Sequence, residues 1–259
     1  MGMKMSVLFL AVHEGWSLGA QLVFGINVVM AAAGIVLLLR KKTIQSGQSS
    51  FKVRLWEVNL FEVLVLIGCL LIGVFGPLPL GFLPVLVMFA IYWISRKDNY
   101  PNLVGIFRMG WLQVMNDALI RLLRAWPALL AISFISSQVL SDYPKQESVQ
   151  KLAETQSLKE VFNIACYALV VAPVLEEFLF RGILFRAMKR PFGVGPSLVI
   201  SGILFGLVHQ NVLSFVPLTF LGIILALSYE RTGDLRTCIL IHAAFNAFMV
   251  FSILVGHGF

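Results

Sequence analysis

The chain has 259 residues, of which 59% are hydrophobic and only 13% are charged, whereas about a quarter of a typical soluble domain is charged. The mean hydropathy of +0.89 is also far above that of a soluble protein, so the composition excludes an ordinary soluble enzyme. The net charge of +7 would by itself fit a nucleic-acid partner, but the positions of the basic residues explain it without one.

Long apolar runs dominate the chain and are continuous rather than alternating, which predicts membrane-spanning helices and not barrel strands. A helix needs about 20 apolar residues to cross a bilayer. The predicted fold is therefore an all-α, polytopic membrane bundle of about eight transmembrane helices. The predicted spans are residues 18–39, 58–76, 78–95, 111–140, 160–188, 195–212, 213–230 and 237–255.

Lys and Arg fall mainly on one side of this predicted bundle. The connections after the first, third, fifth and seventh spans, counted together with Arg121, Arg124 and Arg186 in the adjoining parts of the spans, hold 15 of the 20 basic residues, the opposite side holds 4, and Arg181 lies deeper inside a span. Because basic loops stay in the cytoplasm, this bias predicts a multi-pass protein of the plasma membrane with both termini outside. It also makes a nucleic-acid partner unnecessary.

The first 150 residues contain no motif with evident chemistry, and residues 151–259 are expected to form the catalytic core. Residues 102–125 begin as an amphipathic stretch, in which Gln113, Asp117 and Arg121 recur at helical spacing and indicate a helix at the membrane interface. Residues 141–159 form a polar loop that is either a cap over one membrane face or a linker. The three cysteines stand singly in apolar runs and are interpreted as packing residues: Cys69, Cys166 and Cys238.

The fifth predicted span carries three charges, Glu176, Glu177 and Arg181, within six residues. Each charge near the middle of a membrane helix costs about 2.5–3.5 kcal/mol, so the group needs compensation. Glu177 and Arg181 are four residues apart, with the glutamate first, and are expected to pair. Glu176 then has no local partner, and a lone buried carboxyl suits a general acid or base. A purely structural salt-bridge cluster is the alternative for Glu177 and Arg181.

Two further spans carry polar residues. His209 lies one helical turn after Phe205 on the same face of its span, and Asn246 lies one turn after His242. Glu176 and His209 are both about 20 Å from the predicted hairpin at 190–195, if each residue rises about 1.5 Å. Asn246 lies about 15 Å from the same membrane side. The four polar residues are therefore expected to line one cavity that opens towards the positively charged side.

Such a set of residues has recognisable catalytic roles. Glu176, aided by His209, could deprotonate water, while His242 and Asn246 could donate hydrogen bonds to the oxyanion. The rival account is a zinc site with Glu176, His209 and His242 as ligands and water in the fourth position. The sequence lacks the H-E-x-x-H pattern, and residue spacing does not decide between the two.

Three ordered motifs resemble those of one family: E-E-x-x-x-R at 176–181, F-x-x-x-H at 205–209 and H-x-x-x-N at 242–246. They are similar to the motifs of the CAAX prenyl endopeptidase and bacteriocin-processing family of intramembrane proteases, also called CPBP or Abi. The resemblance covers about residues 160–250 and implies an eight-helix bundle with an active site inside the membrane. It implies that Glu176 is the main catalytic acid, that His209 activates water, that His242 and Asn246 stabilise the oxyanion, and that Glu177 and Arg181 shape the site. Members are described both as metalloproteases and as glutamate-dependent hydrolases, so zinc stays open as a cofactor.

The leading interpretation is an intramembrane endopeptidase that cuts a membrane-associated or lipidated, CAAX-like peptide, with membrane lipid as its surroundings. A non-catalytic scaffold or bacteriocin self-immunity protein is the first alternative. A proton-coupled transporter is the second, because acid and histidine residues in membranes also relay protons. The sequence contains no repeated halves with interrupted helices, which are typical of such carriers. Substrate, cleavage position and oligomeric state do not follow from the sequence.

Overall fold

The structure is a computed structural model that describes residues 17–39, 53, 60–75 and 109–256. Within these ranges the chain is helical apart from short connections, and eight continuous helices can be followed. They are α1 (Leu18–Leu39), α2 (Leu60–Phe75), α3 (Trp111–Val139), α4 (Glu147–Glu154), α5 (158–192), α6 (Val194–Leu207), α7 (Val212–Thr232) and α8 (Leu235–Gly256). The predicted all-α membrane fold is confirmed. Four of the helices, α1, α3, α7 and α8, are long and apolar enough to cross a membrane.

Seven of the eight predicted spans correspond to helices whose ends differ from the prediction by up to five residues. The eighth, at 78–95, lies outside the described residues, as does the start of the amphipathic stretch at 102–108. One helix was not predicted: α4 forms inside the polar loop 141–159, where Leu152 is buried. The loop is therefore partly folded against the bundle.

Helix α5 changes its winding around the charged motif. Its α-helical turns Leu158–Cys166, Ala172–Glu177 and Arg186–Phe192 alternate with wider π-helical turns at Tyr167–Val171 and Phe178–Phe185. Pro173 stands at the start of the middle segment, where its missing N–H weakens the regular α-helical bonding. Such π-helical turns are frequent at functional sites because they turn neighbouring side chains towards a common point.

Helices α6 and α7 form a closely packed hairpin built on small residues. A Cβ atom at Gly202 would lie 2.7 Å from the carbonyl oxygen of Thr219, and one at Gly206 would lie 2.8 Å from that of Phe215. On the facing helix, a Cβ atom at Gly222 would lie 2.9 Å from the Cα of Gly202. Glycines at these positions allow the two backbones to approach, as in other membrane helix pairs.

The first helix packs on α3 and on the end of α8. Gly34 faces the backbone of Leu123 in α3, and Asn27 accepts a hydrogen bond from the indole nitrogen of Trp126 at 3.2 Å. Trp126 is 2% exposed and makes edge-to-face contacts with Phe245 and Phe248 of α8. Trp126 therefore joins three helices.

Two buried ion pairs fasten the end of the bundle that carries most of the basic residues. The Lys189 ammonium donates to both carboxylate oxygens of Glu230, at 2.7 and 2.8 Å, and to the carbonyl of Val53 at 2.6 Å. Asp234 accepts hydrogen bonds from Arg236 in the first turn of α8. Burial alone would raise the pKa of Asp234, but the hydrogen bonds from Arg236 outweigh it and lower this pKa below its usual range.

Candidate active site

The centre of the site is a buried carboxylate shared by a guanidinium and an imidazole. Oxygen Oε1 of Glu177 accepts from Arg181 Nη1 at 2.9 Å and lies 2.9 Å from His242 Nδ1. The side chains of Glu177 and Arg181 are fully buried. The predicted pairing of Glu177 with Arg181 is confirmed, and the structure adds His242 of α8 as a second partner of the same oxygen.

The guanidinium of Arg181 links this carboxylate to the α6–α7 hairpin. Its Nη2 donates to the carbonyl of Gly222 at 2.8 Å, and its Cζ lies 4.7 Å from the centre of the Phe205 ring. A guanidinium with both terminal nitrogens bonded and an aromatic face beside it fixes the orientation of its partners, although the buried Nε of Arg181 has no hydrogen-bond partner among the described residues. Arg181 thus sets the position of Glu177 relative to α6 and α7.

The neighbouring carboxylate, Glu176, faces the two imidazoles. Its Oε2 lies 3.9 Å from Nε2 of His209 and 4.0 Å from Nε2 of His242. The Glu176 side chain is 19% exposed and that of His209 is 16% exposed, whereas that of His242 is 4% exposed. The structure therefore brings together the three residues that the sequence places on separate spans, around a Glu176 oxygen that is buried and has no hydrogen-bond partner among the described residues.

The partners of both imidazoles decide which ring nitrogen is directed at Glu176. His209 Nδ1 lies 2.7 Å from the carbonyl of Phe205, and His242 Nδ1 contacts the Glu177 carboxylate. Because a carbonyl and a carboxylate accept hydrogen bonds, both Nδ1 atoms carry a hydrogen and donate. The Nε2 atoms are left to accept a proton or, when the ring is protonated, to donate. The Phe205 ring packs beside both imidazoles, with its centre 5.0 Å from that of His209 and 5.5 Å from that of His242.

Asn246 lies one turn beyond His242 on α8, but its polar contact is with the backbone. Its Nδ2 donates to the carbonyl of Ala168, in the first π-helical turn of α5, at 2.8 Å. An amide nitrogen carries two hydrogens, so this bond leaves a second N–H for a ligand. The oxyanion role predicted for Asn246 stays a prediction.

The turn after His209 is held by polar contacts that the sequence did not indicate. Gln210 adopts a left-handed conformation with φ of 50° and donates to the carbonyl of Val74 in α2. Asn211 caps α7 by accepting from the backbone N–H of Ser214, and its own amide donates to Pro144 in the polar loop. These residues tie the His209 end of α6 to two other parts of the chain. An asparagine directly before an apolar helical run is a capping signal, and this signal could have identified Asn211.

The donor types of Glu176, His209 and His242 would suit zinc, but their spacing does not. Two ligands of a tetrahedral zinc ion lie about 3.3 Å apart, since each bond is about 2.0–2.1 Å long. Glu176 Oε2 is 3.9 and 4.0 Å from the two Nε2 atoms. No group of three or more His, Cys, Asp or Glu side chains within the described part of the chain is arranged to hold a metal ion. The arrangement does not fit a preformed zinc site.

Comparison with known proteins shows what the region of this site is similar to. Residues 159–248 match the family model described as "Type II CAAX prenyl endopeptidase Rce1-like". The chain is 33% identical over 81 residues to "Putative membrane peptidase YdiL" of Bacillus subtilis (strain 168), covering 31% of this chain and 33% of that protein. It is 29% identical over 128 residues to "Membrane-embedded CAAX protease MroQ" of Staphylococcus aureus (strain USA300), covering 47% of this chain and 51% of that protein.

The matched regions thus span about a third to a half of the length of these curated relatives. No solved structure matches the chain. All the motif residues between Glu176 and Asn246 fall inside the matched family domain. The apolar helices and the family together identify an integral membrane protein. The resemblance drawn from the three motifs is confirmed: residues 159–248 match the type II CAAX prenyl endopeptidase Rce1-like family model, and both curated relatives carry the name of a membrane peptidase or protease.

Proposed function

We propose that this protein is an intramembrane endopeptidase that hydrolyses a peptide bond of a membrane-associated or lipidated substrate, with water activated by Glu176 and His209. One observation carries the proposal. A carboxylate oxygen of Glu176 lies within 4.0 Å of two imidazole nitrogens from two other helices, and this oxygen is buried and has no hydrogen-bond partner among the described residues. A packing role alone does not require three titratable groups to meet around an unsatisfied carboxylate oxygen.

In this mechanism a water molecule binds between Glu176 and His209. As its oxygen attacks the carbonyl carbon of the substrate, one proton passes to this carboxylate–imidazole pair and a carbon–oxygen bond forms. The tetrahedral intermediate then collapses, the carbon–nitrogen bond breaks, and the same proton passes to the leaving nitrogen. The products are a carboxylic acid and an amine, which become a carboxylate and an ammonium when the second proton of the water passes from the acid to the amine, and no oxidant is consumed.

His242 is suited to stabilise the oxyanion because its charge can be balanced. Protonated His242 would donate from Nε2 to the oxyanion while its Nδ1 donates to Glu177. Glu176 and Glu177 then carry two negative charges, and Arg181 and His242 carry two positive charges. A neutral group of four is the least costly arrangement in a medium of low dielectric constant. Asn246 would add a second donor one turn away.

The substrate is proposed to reach the site from the lipid. The face of α5 next to Glu176 exposes apolar side chains to the surroundings, namely Val170, Val171, Val174 and Leu175. A lipid-anchored peptide diffuses in the same layer. The name of the Staphylococcus aureus relative includes CAAX protease, which supports a CAAX-like end as the first substrate to test. The excess of basic residues supports a site that is reached from the cytoplasmic side of the plasma membrane.

The test is cleavage of a farnesylated peptide with a CAAX end by the purified protein in proteoliposomes, beside the same peptide without its lipid. We expect Glu176→Gln to lower the cleavage rate by about 100-fold or more, which is the usual effect of losing a general acid or base. Its Tm should stay near that of the wild type because the carboxyl makes no hydrogen bond in the fold. Glu154→Gln, on the exposed end of α4, is the matched control and should cleave normally.

Two outcomes would contradict this proposal. If Glu176→Gln cleaved at the normal rate, the assignment of Glu176 would be wrong. If the wild type cleaved neither peptide while remaining folded, a scaffold role would be favoured. The same assay after chelation addresses the metal: activity that survives chelation fits the water mechanism, and activity that is lost and then restored by zinc would require a different one.

A further inference from the structure

Three arginines outside the candidate active site form a second polar feature, here called the arginine cluster: Arg121 and Arg124 of α3 and Arg231 of α7. Arg124 and Arg231 both lie close enough to Arg121 to repel it electrostatically. Asp117, one turn before Arg121, is the carboxylate near enough to attract it. The charged side chains that act on Arg121 are thus two arginines and one aspartate.

Two guanidinium groups of the cluster have a buried nitrogen that lacks a hydrogen-bond partner among the described residues. The Nε atoms of Arg121 and Arg124 are buried and have no hydrogen-bond partner in the part of the chain that the structure describes. Arg121 is half-buried, whereas Arg231 is exposed in the last turn of α7. Buried donors without partners and repelling like charges are both costly, so the arrangement favours an anion that accepts from several guanidinium groups at once.

The position of the cluster matches the level of lipid headgroups. Arg121 and Arg124 lie in the first half of α3, and long arginine side chains inside a membrane helix extend towards its nearer end. Arg231 lies one residue before the end of α7. Guanidinium groups at these positions can reach the level where phosphates of the bilayer are found.

The other side of the same helix is suited to lipid chains. Four apolar side chains in the first nine residues of α3 are more than half exposed and lie at helical spacing: Trp111, Leu112, Met115 and Leu119. Apolar residues on one face and arginines on another are the pattern of a helix that lies among headgroups and acyl chains together. A soluble anion would make no use of this apolar face.

We propose that the arginine cluster binds the phosphate of an anionic phospholipid in the leaflet at this end of the bundle. The planar guanidinium donates two parallel hydrogen bonds to phosphate oxygens, so two or three arginines can enclose one phosphate group. The bound lipid would neutralise the cluster and join α3 to α7. This inference does not depend on the proposed peptidase activity.

The experiment measures Tm of the full-length protein in nanodiscs of phosphatidylcholine alone and of phosphatidylcholine with phosphatidylglycerol in equal parts. We expect the anionic lipid to raise the Tm of the wild type. Arg231→Gln, at an exposed position, and the double variant R121Q/R124Q should each lose at least half of this rise. Arg190→Gln is the matched control, because it removes one exposed arginine near the same end of the bundle and should keep the full rise.

The results separate the alternatives. An equal rise with both lipids, or a rise that persists in Arg231→Gln and in R121Q/R124Q, would overturn the proposal. A loss of the rise in Arg190→Gln as well would indicate a general charge effect and would also overturn it. Inorganic phosphate added to the phosphatidylcholine nanodiscs identifies the source: if it reproduces the rise, the cluster binds soluble phosphate instead of lipid. Arg121→Lys should retain part of the rise, because the charge stays and the paired hydrogen bonds are lost.

Discussion

The two adjacent glutamates of α5 differ in what surrounds them, although they differ by one position in sequence. Glu177 is fully buried and bonded to Arg181 and His242, whereas Glu176 is partly exposed and faces two imidazole nitrogens across about 4.0 Å. Side chains at successive positions of a helix point about 100° apart, so one turn of α5 can serve two purposes. Glu177 orients the site, and Glu176 is left to react.

Replacing Glu177 tests this division. Glu177→Gln leaves the buried guanidinium of Arg181 without its counter-charge, and such a loss destabilises a protein by about 3–5 kcal/mol. We expect a clear fall in Tm together with reduced cleavage, in contrast to Glu176→Gln, which should lose cleavage and keep its Tm. The double variant E177Q/R181Q should recover part of the lost Tm because no uncompensated charge remains. A normal Tm for Glu177→Gln would show that the ion pair is not needed for the fold.

The role of Asn246 can be separated in the same way. If its second amide hydrogen binds the oxyanion, Asn246→Ala should lower kcat by about 100-fold, with little change in KM, as for other oxyanion donors. If its bond to the Ala168 carbonyl is what matters, Tm should fall instead, by the amount expected for one hydrogen bond, about 1 kcal/mol. Measuring kcat, KM and Tm of this variant decides between the two. We expect the effect on kcat to dominate.

At the scale of the helices, the α6–α7 hairpin places the Phe205 ring and the Gly222 carbonyl beside Arg181 in the site. Gly202 and Gly206 of α6 face Gly222 and its neighbours at distances that leave no room for a side chain. The resulting approach sets Phe205 against Arg181 and places the carbonyl of Gly222 within 2.8 Å of the guanidinium. Small residues at this interface therefore have a direct consequence for the active site.

Adding one methyl group at this interface should disturb the site, whereas adding it elsewhere on the same helix should not. Gly202→Ala puts a carbon 2.7 Å from the Thr219 carbonyl oxygen, so the helices must separate at a cost of about 1–3 kcal/mol. We expect lower Tm and lower cleavage. Gly195→Ala is the matched control, because nothing lies within 4 Å of its added carbon. Equal behaviour of the two variants would mean that the hairpin packing does not support the site.

The sequence predicted the helices and the motif residues well because both depend on local signals. Apolar length predicted the spans, and buried charges at helical spacing predicted the pairing of Glu177 with Arg181. The sequence could not show that Arg181 binds the Gly222 carbonyl or that Asn246 binds the Ala168 carbonyl, since a backbone acceptor leaves no trace in residue type. It also assigned Lys189 to a basic loop, whereas the structure buries Lys189 against Glu230, 41 residues away.

For the molecule as a whole, the described helices of the first 150 residues are packed on the family domain. The motif residues lie within 159–248, yet α3 and α1 pack on α8, which carries His242 and Asn246. The proposal that residues 151–259 form the catalytic core is therefore compatible with a supporting role for α1 and α3. An apolar family domain whose helices lack these neighbours would expose the face of α8 that Trp126 now covers.

Trp126 is the residue through which this support can be measured. It is 2% exposed, contacts Phe248 with ring centres 4.8 Å apart, and donates to Asn27. Trp126→Ala should cost about 3–5 kcal/mol, because it leaves a large cavity among α1, α3 and α8. The rate of cleavage per folded molecule should change little, since Trp126 touches none of Glu176, His209 or His242. Thermal unfolding and cleavage of the same preparation measure both effects, and Asn27→Ala, which removes only the hydrogen bond, should cost about 1 kcal/mol. If Trp126→Ala kept the Tm of the wild type, the first 150 residues would not stabilise the family domain through this contact.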